Sequence, residues 1–242
     1  MSTVPVRQLW SRARDFVASA CDRRPRTHGL PHMEQVTQTA LLIHYMELAA
    51  APHPSSDGGP CRRDAAIAEQ DIVLVGMLHD VNDHKYYSSA TEDLEASMRS
   101  FLAKELRSDV DAAAALDAIA AVSFSKENKR GKRYFAATLS PRWLRARDIV
   151  SDADKIHAIG YDGVLRCWDY GLESWDTTKE ALTHDAACRR VLEHAAEKLL
   201  RLTDEFIVTA SGIHLARPLH HEMEAMLGDW KRNVPTHLPL KV

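Results

Sequence analysis

Cysteine is scarce in this chain of 242 residues: Cys21, Cys61, Cys167 and Cys188 lie far apart, with no CxxC pair among them. That spacing excludes a secreted disulfide scaffold and a zinc finger. Long apolar runs are absent as well. The opening MSTVPVRQLWSRARDFV holds no apolar stretch fit for a signal peptide, and IVLVGML at 72–78 is far too short to cross a bilayer. A reducing, cytoplasmic setting is the expectation. Charge of one sign is not in excess either, since 31 Lys and Arg face 34 Asp and Glu, with a pI near 6.5. No overall basic field is available to hold a nucleic-acid polymer, although a local basic pocket for one phosphorylated molecule remains compatible with it. What the chain does have is an ordinary globular mix, 45% hydrophobic and 27% charged, which excludes disorder as the main state. Area scaling lets about 70 per cent of the unfolded surface be buried, enough for one large domain with a full core.

Almost every periodic segment reads as helix. Residues 5–22 place Val6, Leu9, Trp10, Ala13 and Val17 on one face, and 31–50 do so with Val36, Ala40, Ile43 and Leu48. Between Ala50 and Asp64, APHPSSDGGPCRR carries three prolines and two adjacent glycines and reads as a solvated, mobile loop. Asp64 is a candidate cap for a helix over 64–80 that is apolar almost all round at its end, so that end should be buried. Helices are also expected over 88–106, over 109–122, and from Pro141 through DADKIHAIG, with two longer ones near 179–210 and 214–230. Thr183 to Asp185 reads as a cap. SKENKRGKR at 125–133 reads as a basic loop, and the tail after Pro235 as frayed. Tyr161 and Trp168, at helical spacing, read as core. With no repeat and no convincing strand, the expectation is an all-α single-domain helical bundle spanning 1–242, with the C-terminal helices over about 177–230 packed on a core at 27–170.

The residues that carry chemistry are His32, the pair His79-Asp80, and the acids of Asp152-Ala153-Asp154. A His-Asp pair alone means little, because 13 His and 20 Asp give about one by chance, and the chain also has His184-Asp185. Context separates the two. His79-Asp80 closes a strongly apolar helix, where polar groups are costly unless they are paired or bind a metal. Imidazole and carboxylate together suit Mn²⁺, Fe²⁺, Co²⁺, Ni²⁺ or Zn²⁺, and two of each leave octahedral positions open for water and a phosphate oxygen.

THGLPHMEQV at 27–36, VGMLHDVNDHKY at 75–86, SFSKE at 123–127 and IVSDADKIHAIGYDGVLRCW at 149–168 together resemble the HD-domain superfamily of metal-dependent phosphohydrolases. The likeness is strongest to the bacterial YpgQ/YedJ-like branch, whose members include nucleoside-triphosphate pyrophosphohydrolases. The resemblance implies a single divalent metal ion (Mn, Co, Ni, Zn, Fe or Mg, with Mn favoured) held by His32, His79, Asp80 and Asp154. Asp152 is the other candidate for the fourth place. Acids two apart on a helix point about 200° apart, so only one of them can face the ion. Asp83 resembles the acid that positions or deprotonates the attacking water, and Lys85 a basic residue beside the metal that contacts a phosphate. An acid in a solvated loop and a surface lysine are the alternatives. Lys126 within SFSKE and Arg166 within GVLRCW resemble further phosphate contacts; for the basic cluster of Lys126, Lys129, Arg130, Lys132 and Arg133, a solvated loop and a polyphosphate-neutralising lid both stay open. His157 is expected as a buried, hydrogen-bonded histidine. Around His32 the chain departs from the branch, with Gly29 after His28 and Gln35 where an arginine is usual, and His28 reads as surface or pocket rim. The implied reaction is conversion of a nucleoside triphosphate to monophosphate and pyrophosphate, with monophosphate hydrolysis or non-catalytic metal and nucleotide binding as alternatives. The implied partner is a small phosphorylated molecule, not a nucleic-acid polymer or a membrane, and the C-terminal helices could pair two copies.

Overall fold

The computed structural model describes residues 5–22, 29–50, 62–82 and 91–240, with side chains described from Ala68 in the third helix and from Leu94 in the fourth. Residues 51–61 of the loop expected at 51–63, Cys61 among them, His28, Asp83, Lys85 and residues 88–90 of the expected fourth helix lie outside the described residues. Every regular element among those described is helical. The chain divides into two compact units, Met1–Ala153 and Asp154–Val242.

The first unit is built around α3 (Arg62–Leu78), which packs against α1 (Val6–Ala20), α2 (Leu30–Ala50) and α5 (Asp109–Ala121), while α4 (Thr91–Leu106) packs on α5. Sequence spacing explains the faces. Leu9, Ala13 and Val17 form the buried stripe of α1, and Asp71 to Leu78 are buried without a break, as an apolar helix end demands. α3 starts at Arg62, two residues before the expected cap. Ser108 caps α5, its Oγ accepting from Asp111 N at 3.1 Å. Ion pairs tie separate helices: Arg12 of α1 donates twice to Glu105 of α4, and Arg142 donates twice to Asp71 of α3 at 2.6 and 2.7 Å. Burial nevertheless pushes the Asp71 carboxyl above its ordinary value, outweighing the pull of Arg142.

The basic stretch at 125–133 is not a loop throughout. Its first part is α6 (Phe124–Arg130), capped by Ser123 and followed by a turn in which Gly131 and Arg133 take positive φ, 103° and 55°. The cause is long-range. Arg147, on α7 (Pro141–His157), is fully buried and donates to Ala121 O, to Glu127 of α6 and to Asp148, while Arg133 donates twice to Asp148 and its own N–H reaches Glu127. The guanidinium of Arg147 also lies 3.8 Å from the centroid of the Phe135 ring.

In the second unit α8 (Gly160–Glu173), not anticipated as an element of its own, packs on α9 (His184–His194) and α11 (Ala210–Trp230). Gly160 has φ +75°, and a Cβ on Gly163 would sit 2.4 Å from the carbonyl of Ala158, so both glycines of IGYDG are demanded by the backbone. Glu222 of α11 caps α8 from outside by accepting from Tyr161 N at 3.0 Å. Trp168 is core as expected, but Tyr161 is 48% exposed, because it sits on the outer side of the first turn of α8. The segment read as one helix over 179–210 begins at His184 behind a Thr183 cap, passes through a π-helical turn at Ala195–Leu199, and ends in α10 (Leu200–Glu205). The tail is not frayed as expected: Trp168 Nε1 donates to Pro239 O at 3.2 Å and His184 Nε2 to Leu238 O at 2.9 Å.

Candidate metal centre

His32 stands in the first turn of α2, which Gly29 opens by accepting from the N–H groups of His32 and Met33. His79 and Asp80 follow the last residue of α3, and Val81 N–H returns to Leu78 O at 3.1 Å, so they occupy the centre of a tight turn. The start of α2 and the end of α3 lie side by side. They put one donor atom each from His32, His79 and Asp80 within 4.8 Å of one another, with the two imidazole centroids 5.3 Å apart at 67°. His32 is buried and the other two are half-buried.

His79 Nδ1 lies 2.7 Å from Gly76 O. A carbonyl oxygen can only accept, so Nδ1 carries a proton, and in the neutral ring Nε2 holds the lone pair. A carbonyl that fixes tautomer and ring orientation in this way is the usual support of a metal-bound histidine. Two imidazoles and a carboxylate are the donor set of a borderline divalent ion. The residues present therefore fit a divalent cation, and among the described residues no other group of three such side chains is so arranged.

Asp154 and Asp152 both lie on α7, Asp154 as the first residue of the second unit and Asp152, fully buried, in the first. Asp152 lies near enough to Arg133 for its charge to help hold that guanidinium protonated. Lys126 is exposed on α6, and Arg166 is half-buried on α8 of the second unit. His157 is half-buried near the end of α7 and takes part in an interaction there. Asp83 and Lys85 lie outside the described residues. One contributor escaped sequence reasoning. Gly76 supplies the carbonyl that orients His79, and Thr37 of α2 lies against Gly76. A glycine three residues before a helix-terminal histidine was the available signal.

No family model and no curated protein matches the chain. Solved structures do. Bacillus subtilis YpgQ, solved in complex with ADP, is 20% identical with a TM-score of 0.62 over 95% of this chain and 97% of that one. A Bacillus thuringiensis protein described as an HD-superfamily hydrolase is 19% identical with a TM-score of 0.53, covering 94% and 97%. The chain has an HD-domain fold of the YpgQ type. A Lactobacillus plantarum protein extends the group, at 20% identity, a TM-score of 0.63 and coverage of 94% and 95%. The HD fold agrees with the all-α architecture, and the His-His-Asp cluster sits where the HD pair ends α3.

Proposed function

We propose that this protein is a metal-dependent phosphohydrolase acting on a nucleotide, with pyrophosphate release from a nucleoside triphosphate as its reaction. The observation that carries the reading is the convergence of His32, His79 and Asp80 within 4.8 Å on an HD-domain fold. The ADP complex of the B. subtilis neighbour supports a nucleotide ligand. Asp154 is the fourth protein ligand in this proposal, and one divalent cation, Mn²⁺ first, is the cofactor. When bound, such a cation lowers the pKa of a coordinated water and polarises a phosphoryl oxygen.

The chain's own residues divide the remaining work. His79, held by Gly76 O, presents a neutral Nε2 in a fixed direction. Asp80 supplies negative charge that offsets the cation without consuming every coordination position. Asp83 aligns the attacking water and takes its proton as the P–O bond to the leaving group lengthens. Lys85, Lys126 and Arg166 counter the charge that builds on the phosphoryl oxygens and the departing pyrophosphate.

The test is Mn²⁺- and Co²⁺-dependent turnover of nucleoside mono-, di- and triphosphates, with phosphate and pyrophosphate measured separately. Asp80→Ala is expected to abolish pyrophosphate release, by at least a hundredfold, and Asp83→Asn to lower kcat with little change in metal affinity. Phosphate from monophosphates would move the reaction to the nucleotidase side of the same fold. Metal binding without turnover of any of these nucleotides would leave a metal- and nucleotide-binding module.

A further inference from the structure

Gly76 does more than lend a carbonyl to His79. A Cβ built there would lie 2.6 Å from Thr37 Oγ1 and 3.2 Å from both Cα and Cβ of Thr37. The backbones of α2 and α3 thus approach closely at this pair. Thr37 cannot simply turn aside: its hydroxyl donates to Met33 O at 2.6 Å inside the buried interface, and rotation leaves its Cα and Cβ where they are. Nor can α3 give way locally, since Asp71 to Leu78 are buried in an unbroken run.

The contact also lies close to the metal centre. Thr37 is five residues beyond His32 on α2, about 7.5 Å along the axis, and Gly76 is three residues before His79, about 4.5 Å along α3. His32 travels with α2, whereas His79 and Asp80 travel with α3. The gap between the helices at Gly76 therefore governs the gap between the two halves of the ligand set. A methyl at position 76 needs an ordinary contact of at least 3.4 Å where 2.6 Å is offered, a displacement of about 0.8 Å. Metal–ligand distances tolerate only about 0.2 Å.

We propose that Gly76 is a positioning residue of the metal centre: the missing side chain at 76 lets α2 and α3 lie at the separation at which His32 and His79 serve one ion, Thr37 being only the surface that an added side chain would strike. This rests on the metal reading above, and the experiment keeps the two apart. Co²⁺ is titrated into metal-free wild type, Gly76→Ala, Thr37→Ala and Gly76→Ala/Thr37→Ala, following the visible absorption of the bound ion, with thermal unfolding of each metal-free protein alongside. Gly76→Ala is expected to weaken Co²⁺ binding at least tenfold and to alter the visible band. Thr37→Ala stays within threefold of wild type. The double variant, in which the required displacement falls to about 0.2 Å, returns to within threefold of Thr37→Ala. Such rescue is not expected of a glycine that serves stability alone. Wild-type affinity in Gly76→Ala, or a double variant no better than Gly76→Ala, overturns the positioning role and leaves the metal reading intact. Absence of Co²⁺ binding in wild type overturns both. If Gly76→Ala does not fold, the double variant against Thr37→Ala decides: binding within threefold upholds the proposal, and tenfold weaker binding or failure to fold overturns it.

Discussion

Cys167 shows how local environment sets chemical behaviour in this chain. Its thiol is pushed up to about 11 by burial, which outweighs the opposing pull of Lys198, Arg166 and Arg190. Against an ordinary thiol at 9.0, two pH units cut the thiolate fraction at pH 8 by about a hundredfold, and the thiolate is the nucleophile. Iodoacetamide labelling of the native protein at pH 8, mapped by peptide mass spectrometry, is therefore expected to modify Cys167 about a hundred times more slowly than free cysteine. Labelling at the free rate would mean that water reaches the thiol. The same partial burial bears on the neighbouring Arg166. A side chain half-withdrawn from solvent within α8 has fewer rotamers to lose than a surface cation, an advantage for the phosphate contact proposed for it. Lys126, exposed on α6, lacks that advantage.

Among the elements, α6 owes most to distant residues. Seven residues are too few for a helix to stand alone, and five cations within 125–133 repel one another. The helix persists because its one acid, Glu127, turns inward to Arg147 and to the N–H of Arg133. Both Arg147 and Glu127 are almost wholly buried, so removing one partner strands the other. Arg147→Ala is expected to cost about 3–5 kcal/mol in urea unfolding, whereas Arg147→Met combined with Glu127→Gln costs far less, because no buried charge is left uncompensated. Equal losses in both would mean that packing against Phe135, not charge, holds the segment. This element also marks where sequence reading stops. Apolar spacing and, for the alanine-rich α5, helix propensity were enough to find α1, α2, α5, α7 and α11 to within a few residues. Composition misled at 125–133 because the residues that order it, Arg147 and Asp148, are distant in sequence, and Arg147 is itself held by a main-chain carbonyl, that of Ala121. The tail beyond Pro235 misled for the same reason: its acceptors are the carbonyls of Leu238 and Pro239, and main-chain oxygens leave no mark in a side-chain pattern.

For the whole molecule, the site was legible to the extent that its chemistry resides in side chains. His79 and Asp80 declare themselves by type and by their position at the end of an apolar run, and His32 through the family-like segment around it. Gly76, whose proposed part is one of shape, does not. A ligand set drawn from α2, the turn after α3 and, in the proposal, α7 exists only in the folded chain, so metal binding must add to stability. At a free metal concentration of a hundred times Kd the gain is about 2.7 kcal/mol. In a chain of 242 residues, 1 kcal/mol moves the thermal midpoint by about 2–4 °C, so saturating Mn²⁺ should raise it by about 5–11 °C over the chelator-treated protein. Asp80→Ala is expected to lose that shift. The two acids of the DAD triplet then separate by the same measurement. Asp154→Ala should lose most of the metal-induced shift while leaving the metal-free midpoint near that of wild type. Asp152→Ala, at a fully buried position near Arg133, should lower the metal-free midpoint and keep the shift. The reverse pattern would assign the fourth ligand to Asp152, and a full shift in both variants would mean that the ion is held by His32, His79 and Asp80 alone.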